Sequence, residues 1–187
     1  MEGKTVYFTK PGRENTEEVF RIARLRAEEL GIKTILVAST TGDTAARAVE
    51  VFEGARVVAV SHFTGFREPN IQEFTEENRQ KVEGAGAVVL TATHVFSGLS
   101  RAMRNKFNMY LFDEVVAYTL RIFGQGMKVA CEISLMAVDA GLVRTDEDVI
   151  TIGGTGRGAD IALVLRPVNS MDFFDLRIKE ILCKPHF

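Results

Sequence analysis

Several large protein classes are excluded by what this chain has little of. Its 187 residues hold two cysteines, Cys131 and Cys183, far apart and in no C-x-x-C pair, so neither a disulfide framework nor a thiolate metal site is supported. No H-E-x-x-H or comparable spacing is present, so no catalytic zinc or other metal site is expected. The nucleophile-elbow pattern G-x-S-x-G is missing as well, which disfavours a serine hydrolase even though Ser97 and Ser100 lie near His94. Met1 to Lys4 carries no apolar signal core, and nowhere is there a run of about eighteen apolar residues, so the expectation is a cytoplasmic protein with no membrane association. A net charge of -2 gives no electrostatic reason to expect nucleic acid as a partner. Repeats, low-complexity tracts and linkers are absent, and the length suits one domain spanning residues 1–187.

What is present is an alternation of strand-like and helical segments. Thr5 to Phe8 reads as a short strand, and the loop Lys10 to Glu14 leads to Asn15 as N-cap of a helix over Thr16 to Leu30 that stops at Gly31. Strands at 34–39, 56–61 and 87–93 alternate with helices at 44–53 and 75–85. Their near-continuous apolar character points to a parallel sheet covered on both faces. Two long apolar stretches, 109–123 and 127–141, read as core helices. Strands at 148–152 and 160–168 are joined by too few residues for a parallel crossover and should form an antiparallel hairpin at a sheet edge. An amphipathic helix is expected over Phe173 to Leu182.

Candidate chemistry gathers at strand ends. The strand at 34–39 breaks into Ser39, Thr40, Thr41, Gly42, Asp43 and Thr44 before a helix, where unpaired N–H groups and the helix dipole favour a bound phosphate. The same residues also suit a plain N-cap. Two further strands end in Ser61-His62-Phe63-Thr64-Gly65-Phe66 and Thr93-His94-Val95-Phe96-Ser97-Gly98, and in a parallel sheet all three tips share the carboxyl edge where such sheets bind ligands. The hairpin adds Gly153, Gly154, Thr155, Gly156, Arg157, Gly158 and Asp160, with glycines for close backbone approach and an arginine able to pair a phosphate bidentately. A flexible turn is the alternative reading. His62 and His94 are the candidates for proton transfer, or they satisfy strand ends; Phe63, Phe66 and Phe96 could face a flat heterocycle or anchor loops. Lys128, Glu132 and Asp139 read as the solvent face of their helix, and Arg101, Arg104 and Lys106 as solvated surface.

Two of these pieces, the strand and phosphate loop from Thr34 to Ala46 and the glycine hairpin from Asp148 to Val168, resemble the C-terminal domain of pyruvate kinases. In that family the two loops hold the phosphates of an allosteric sugar bisphosphate. The catalytic barrel has no counterpart, so phosphate transfer to ADP is not implied. The tip from Thr93 to Gly98 and the apolar helices after it resemble a small stand-alone group, chiefly archaeal proteins of unassigned activity, associated with flavin mononucleotide. That resemblance implies a three-layer α/β/α sandwich on a mostly parallel five-stranded core sheet with an antiparallel last strand, to which Thr5 to Phe8 could add.

The resulting expectation is a protein that binds flavin mononucleotide, with its phosphate on Thr40, Thr41, Gly42 and Thr44 and its ring near His62, Phe63, His94 and Phe96. A flavin-dependent redox role is one possibility. A regulatory sensor of a sugar phosphate or nucleotide and a phosphoester-processing enzyme using His62 or His94 are the alternatives. Gly42→Val is expected to abolish ligand binding with the fold intact. Apolar surface beyond one small core suggests a homo-oligomer.

Overall fold

The computed structural model describes residues 3–187, so the Met1 and Glu2 part of the N-terminal stretch lies outside the described residues. Strands β1 (Val6–Phe8), β2 (Thr34–Ala38), β3 (Arg56–Ser61), β4 (Val88–Thr91), β5 (Val149–Gly153), β6 (Ile161–Arg166) and β7 (Arg177–Pro185) form one sheet in the order β1-β7-β6-β5-β2-β3-β4. Pairing is parallel from β5 through β2 and β3 to β4 and between β1 and β7; only β6 runs against its neighbours. The fold is therefore α/β with a mostly parallel, mixed sheet.

Six helices cover it: α1 (Thr16–Leu30), α2 (Asp43–Val51), α3 (Glu76–Gly84), α4 (Leu99–Phe107), α5 (Phe112–Arg121) and α6 (Gln125–Asp139). Successive strand side chains alternate between two cores, as the pleat requires. Ile35, Val37, Val57, Ala59, Ile150 and Ile152 pack with α1, α2 and α3, while Leu36, Val58, Val60, Val149, Leu163 and Leu165 pack with α5 and α6. The α1 helix ends where Gly31 adopts a left-handed φ of 67°, a conformation that costs glycine no Cβ clash.

Three expectations need correction. Residues 177–185 are strand, preceded by a 3-10 turn at Ser170–Asp175, where the helix Phe173 to Leu182 was expected. Register shifts against β6 at Ala162/Leu163 and Val164/Leu165 explain the misreading, because extra residues on β7 break strict alternation and leave Ile178, Ile181 and Leu182 at helical spacing. The sheet accordingly has seven strands: the antiparallel β6 is followed by β7, which with β1 covers its free side, so the β5–β6 hairpin lies inside the sheet and not at the edge expected for it. Finally, only α6 is a core helix. The 109–123 stretch begins outside a helix, and in α5 only Glu114 and Ala117 are buried, with Phe112 65% and the following Ile122 75% exposed.

The α6 helix lies unusually close to the sheet. A Cβ on Gly153 would stand 2.6 Å from the Gly126 carbonyl oxygen and 3.2 Å from the Ala130 nitrogen, both backbone atoms. Gly153→Ala should therefore lower stability by about 2 kcal/mol or more. Chemical denaturation followed by circular dichroism would check this; an unchanged midpoint would show that α6 can move away freely.

Candidate functional site

A cleft of about 860 Å³ runs along the carboxyl edge of the sheet. Its first wall is the β2–α2 turn, contributing Ser39, Thr40, Thr41, Asp43 and Thr44. Ser39 is buried, and its Oγ accepts the Ala45 N–H at 3.2 Å, so it closes the start of α2. Asp43, at the first helical position, accepts from Thr41 Oγ1 (2.8 Å) and from Asn78 Nδ2 (2.8 Å). Those two bonds first, with the charges of Arg157 and Arg13 behind them, hold the Asp43 carboxyl below its usual range. The turn thus already carries one negative charge, which any incoming anion must balance against the same arginines.

Gly42 does not line the cleft. With φ at 100°, its added Cβ would strike Asn78 Cβ at 2.4 Å and the Phe74 ring at 2.8 Å, so α3 packs directly on this turn. A valine there would disturb the α2–α3 contact, and the expectation of an intact fold is withdrawn.

The hairpin loop supplies Gly154, Gly156, Arg157 and Gly158 as the second wall. It is stapled to the start of α1. Thr16 Oγ1 accepts the Ala159 N–H at 3.0 Å, and Asp160 Oδ2 accepts from the Gly12 and Thr155 backbones at 3.0 and 3.1 Å. Gly158 has φ at 70°, and a Cβ would fall 2.5 Å from Arg13 Cα. That close approach brings Arg13, which sequence reading treated as part of a loop, into the cleft beside Arg157. Gly153, Thr155 and Asp160 stay out of the cleft and serve the loop's framework. Burial raises the Asp160 carboxyl's pKa, and the Gly12 and Thr155 bonds oppose that shift.

The third wall is histidine and phenylalanine. His62, Phe66 and His94 line the cleft; Phe63 packs edge-on against His94 with centroids 5.4 Å apart, behind it. His62 lies on Phe66 at 3.9 Å between centroids, and its Nδ1 donates to the Glu73 carboxylate at 2.7 Å. Glu73, which sequence reading missed, also pairs with Arg67 at 3.1 Å. Gly65 and Thr93 lie in the neighbouring loops without lining the cleft. Phe96 is buried in the core against Phe173, centroids 5.6 Å apart, so its ring is a loop anchor.

The floor is α6. Lys128 and Glu132 form a buried ion pair, not the solvent face expected for them; only Asp139 of the three is exposed. Glu132 Oε1 also accepts the Phe96 N–H at 3.0 Å, which ties the loop after β4 to α6. Arg101, expected at the surface, lies in the cleft with its guanidinium 4.6 Å from the centre of the Phe66 ring. Arg104 is likewise engaged, with Glu114 at 2.5 Å. Among the described residues no group of three or more His, Cys, Asp or Glu is placed to hold a metal, and no helix is long and apolar enough to cross a membrane.

Burial pushes the pKa of His94 down to about 4, Lys128 and His62 add to the shift, and Glu132 opposes it. The folded protein therefore keeps His94 neutral, whereas the unfolded chain takes up the proton near 6.5. Stability contributed by this group is complete above that value and declines as pH falls through the window from 6.5 toward about 4. In an NMR titration the His94 ring signals should hold still between pH 8 and about 5.5; a midpoint near the reference value for histidine would contradict the burial argument.

Among known proteins, a family model described as pyruvate kinase, alpha/beta domain, matches residues 17–165. A solved pyruvate kinase from Cryptosporidium parvum is 12% identical at a TM-score of 0.43, with 82% of this chain and 23% of that one covered. The Cryptosporidium parvum pyruvate kinase in complex with ADP is also 12% identical at a TM-score of 0.43, with 86% and 25% covered. This chain spans about a quarter of the length of either enzyme. With the family's pattern matched from within α1 through β6, the chain belongs to the pyruvate kinase alpha/beta domain family.

Proposed function

We propose that this protein binds a phosphorylated ligand in the carboxyl-edge cleft, and that the ligand is flavin mononucleotide. One observation carries the reading: the two loops picked out as phosphate-compatible, 39–44 and 154–158, line the same cleft and bring Arg13 and Arg157 with them. The phosphate would rest on the Thr40, Thr41 and Thr44 turn against Gly154 to Gly158, where the positive end of α2 and two guanidiniums offset the charge of Asp43. The ring system would face His62, Phe66 and His94, a half-buried aromatic wall with one imidazole held neutral. The cleft volume of about 860 Å³ lies within the range of small-molecule and cofactor sites.

The choice of flavin rests on the resemblance to the stand-alone group. Bound flavin would supply hydride-transfer chemistry; the residues here bind and orient it, and His62, braced by Glu73, is the group able to accept a proton beside it. A second reading is favoured by the charge of the walls, where Arg13, Arg47, Arg67, Arg101, Arg121, Lys128 and Arg157 outnumber Glu17, Asp43 and Glu132. That excess suits a ligand with more than one anionic group, such as a sugar bisphosphate sensed without chemistry.

The absorption spectrum of freshly purified protein and the mass of any molecule it releases on denaturation test the choice. Released flavin mononucleotide, with affinity reduced at least tenfold in Arg157→Ala, is the expected result. A colourless protein that releases a sugar phosphate or nucleotide would replace flavin with the sensor reading, and His94→Ala would then leave affinity unchanged. Tight flavin binding that ignores Arg157→Ala would move the phosphate out of the hairpin loop.

A further inference from the structure

Apart from Arg47 and Arg67, which are paired with Glu17, Glu50 and Glu73, the cations of the cleft fall into two groups on opposite sides of the sheet's carboxyl edge. Arg13 and Arg157 belong to the side covered by α1 and α2. Arg101, Arg121 and Lys128 belong to the side covered by α4, α5 and α6. We infer that this second group is a separate oxyanion subsite, which takes a carboxylate or phosphate other than the one held by the two loops. It extends the proposed reading of the same cleft by defining what else a ligand or co-substrate must carry.

Arg101 and Arg121 are held in place by partners that leave their charge uncompensated. The Arg101 guanidinium lies 4.6 Å from the centre of the Phe66 ring, and that of Arg121 lies 5.0 Å from the centre of Tyr118. Arg121 Nε donates to the Gln125 side-chain oxygen at 2.7 Å. Aromatic faces and an amide fix the orientation of a guanidinium without neutralising it. Among the described residues neither arginine forms an ion pair, although most of the chain's other arginines do.

Lys128 is paired with Glu132, so the group carries three positive charges against one negative. The arginines are close enough that both push the Lys128 ammonium's pKa down, in addition to the larger effect of burial and against Glu132. The neighbouring acids are otherwise engaged. Glu114 binds Arg104, and Asp113 accepts from Ser100 Oγ at 2.5 Å. Folding brings these like charges together in a half-buried wall, and an oxyanion placed among them removes the repulsion. The guanidinium fork suits the planar pair of oxygens of a carboxylate as well as those of a phosphate.

The probe is inorganic phosphate, titrated at fixed ionic strength and followed by backbone amide NMR. Two saturable sets of shifts are expected, one at Thr40 to Thr44 and Gly156, the other at Gln125 and Phe66. Arg101→Gln combined with Arg121→Gln should weaken the second set at least tenfold and leave the first; Gln125→Glu, which places a carboxylate beside Arg121, should weaken the second set in a chain that keeps both arginines. Saturable shifts at the first set alone, or a second set indifferent to these changes, would overturn the subsite and leave the phosphate-loop reading standing. Saturation at the second set alone would do the reverse. Repeating the titration with flavin mononucleotide bound identifies the source: a second set that still responds, to acetate as well as phosphate, belongs to a separate anionic substrate, whereas one already occupied belongs to the far end of the same ligand.

Discussion

The connection between β5 and β6, residues 154–160, is too short to cross the sheet, and the organisation of the cleft depends on that one constraint. The chain has to reverse at the carboxyl end of β5. Because β5 pairs in parallel with β2, that end lies beside the point where β2 gives way to α2. Two loops distant in sequence therefore share one edge, and among the described strands β6 alone runs the other way. The close seating of α6 on Gly153 fixes the height of the reversal. Asp160, with the Gly12 and Thr155 N–H groups on its Oδ2, fixes its direction and carries the start of α1 along. Arg13 reaches the cleft as a consequence of that staple.

Charge is distributed in this cleft with a physical logic. Near α2 the positive helix end and two arginines are partly answered by Asp43, so the site is held together before any ligand arrives. Near α6 the buried Lys128–Glu132 pair is tied to the chain after β4 through the Phe96 N–H, a satisfied polar network in an otherwise apolar helix. Removing one member of such a pair leaves an uncompensated buried charge, which makes the pair a structural requirement as well as a source of field. Between the two ends lies an aromatic and imidazole wall in which His94 stays neutral over the physiological range and His62 is oriented by Glu73.

The parallel pairing of the first strands and the antiparallel hairpin were legible in the sequence because buried parallel strands leave continuous β-branched runs, and because a short connection admits only one pairing; the order of the strands, and the place of the hairpin inside the sheet, were not. The cleft's two loops were legible for the same reason: glycine, serine and threonine at strand ends mark where backbone must be exposed. What escaped depended on tertiary partners. Bulges on β7 imitated helical spacing, and charged residues four apart on α6 imitated a solvent stripe although the helix is buried nearly all round. Arg13, Arg121 and Glu73 had no local signal, since each enters the site through a contact made across the fold. Phe112, Ile122 and Phe174 remain exposed on and near α5, which is why a long apolar run there did not make a core helix.

A crystal structure of the protein with flavin mononucleotide bound tests the central claim most directly. The account predicts the phosphate between the start of α2 and residues 154–158, within hydrogen-bonding reach of Arg157, with the ring toward His62 and His94. A phosphate bound outside that junction, with the two loops touching no ligand, would contradict it.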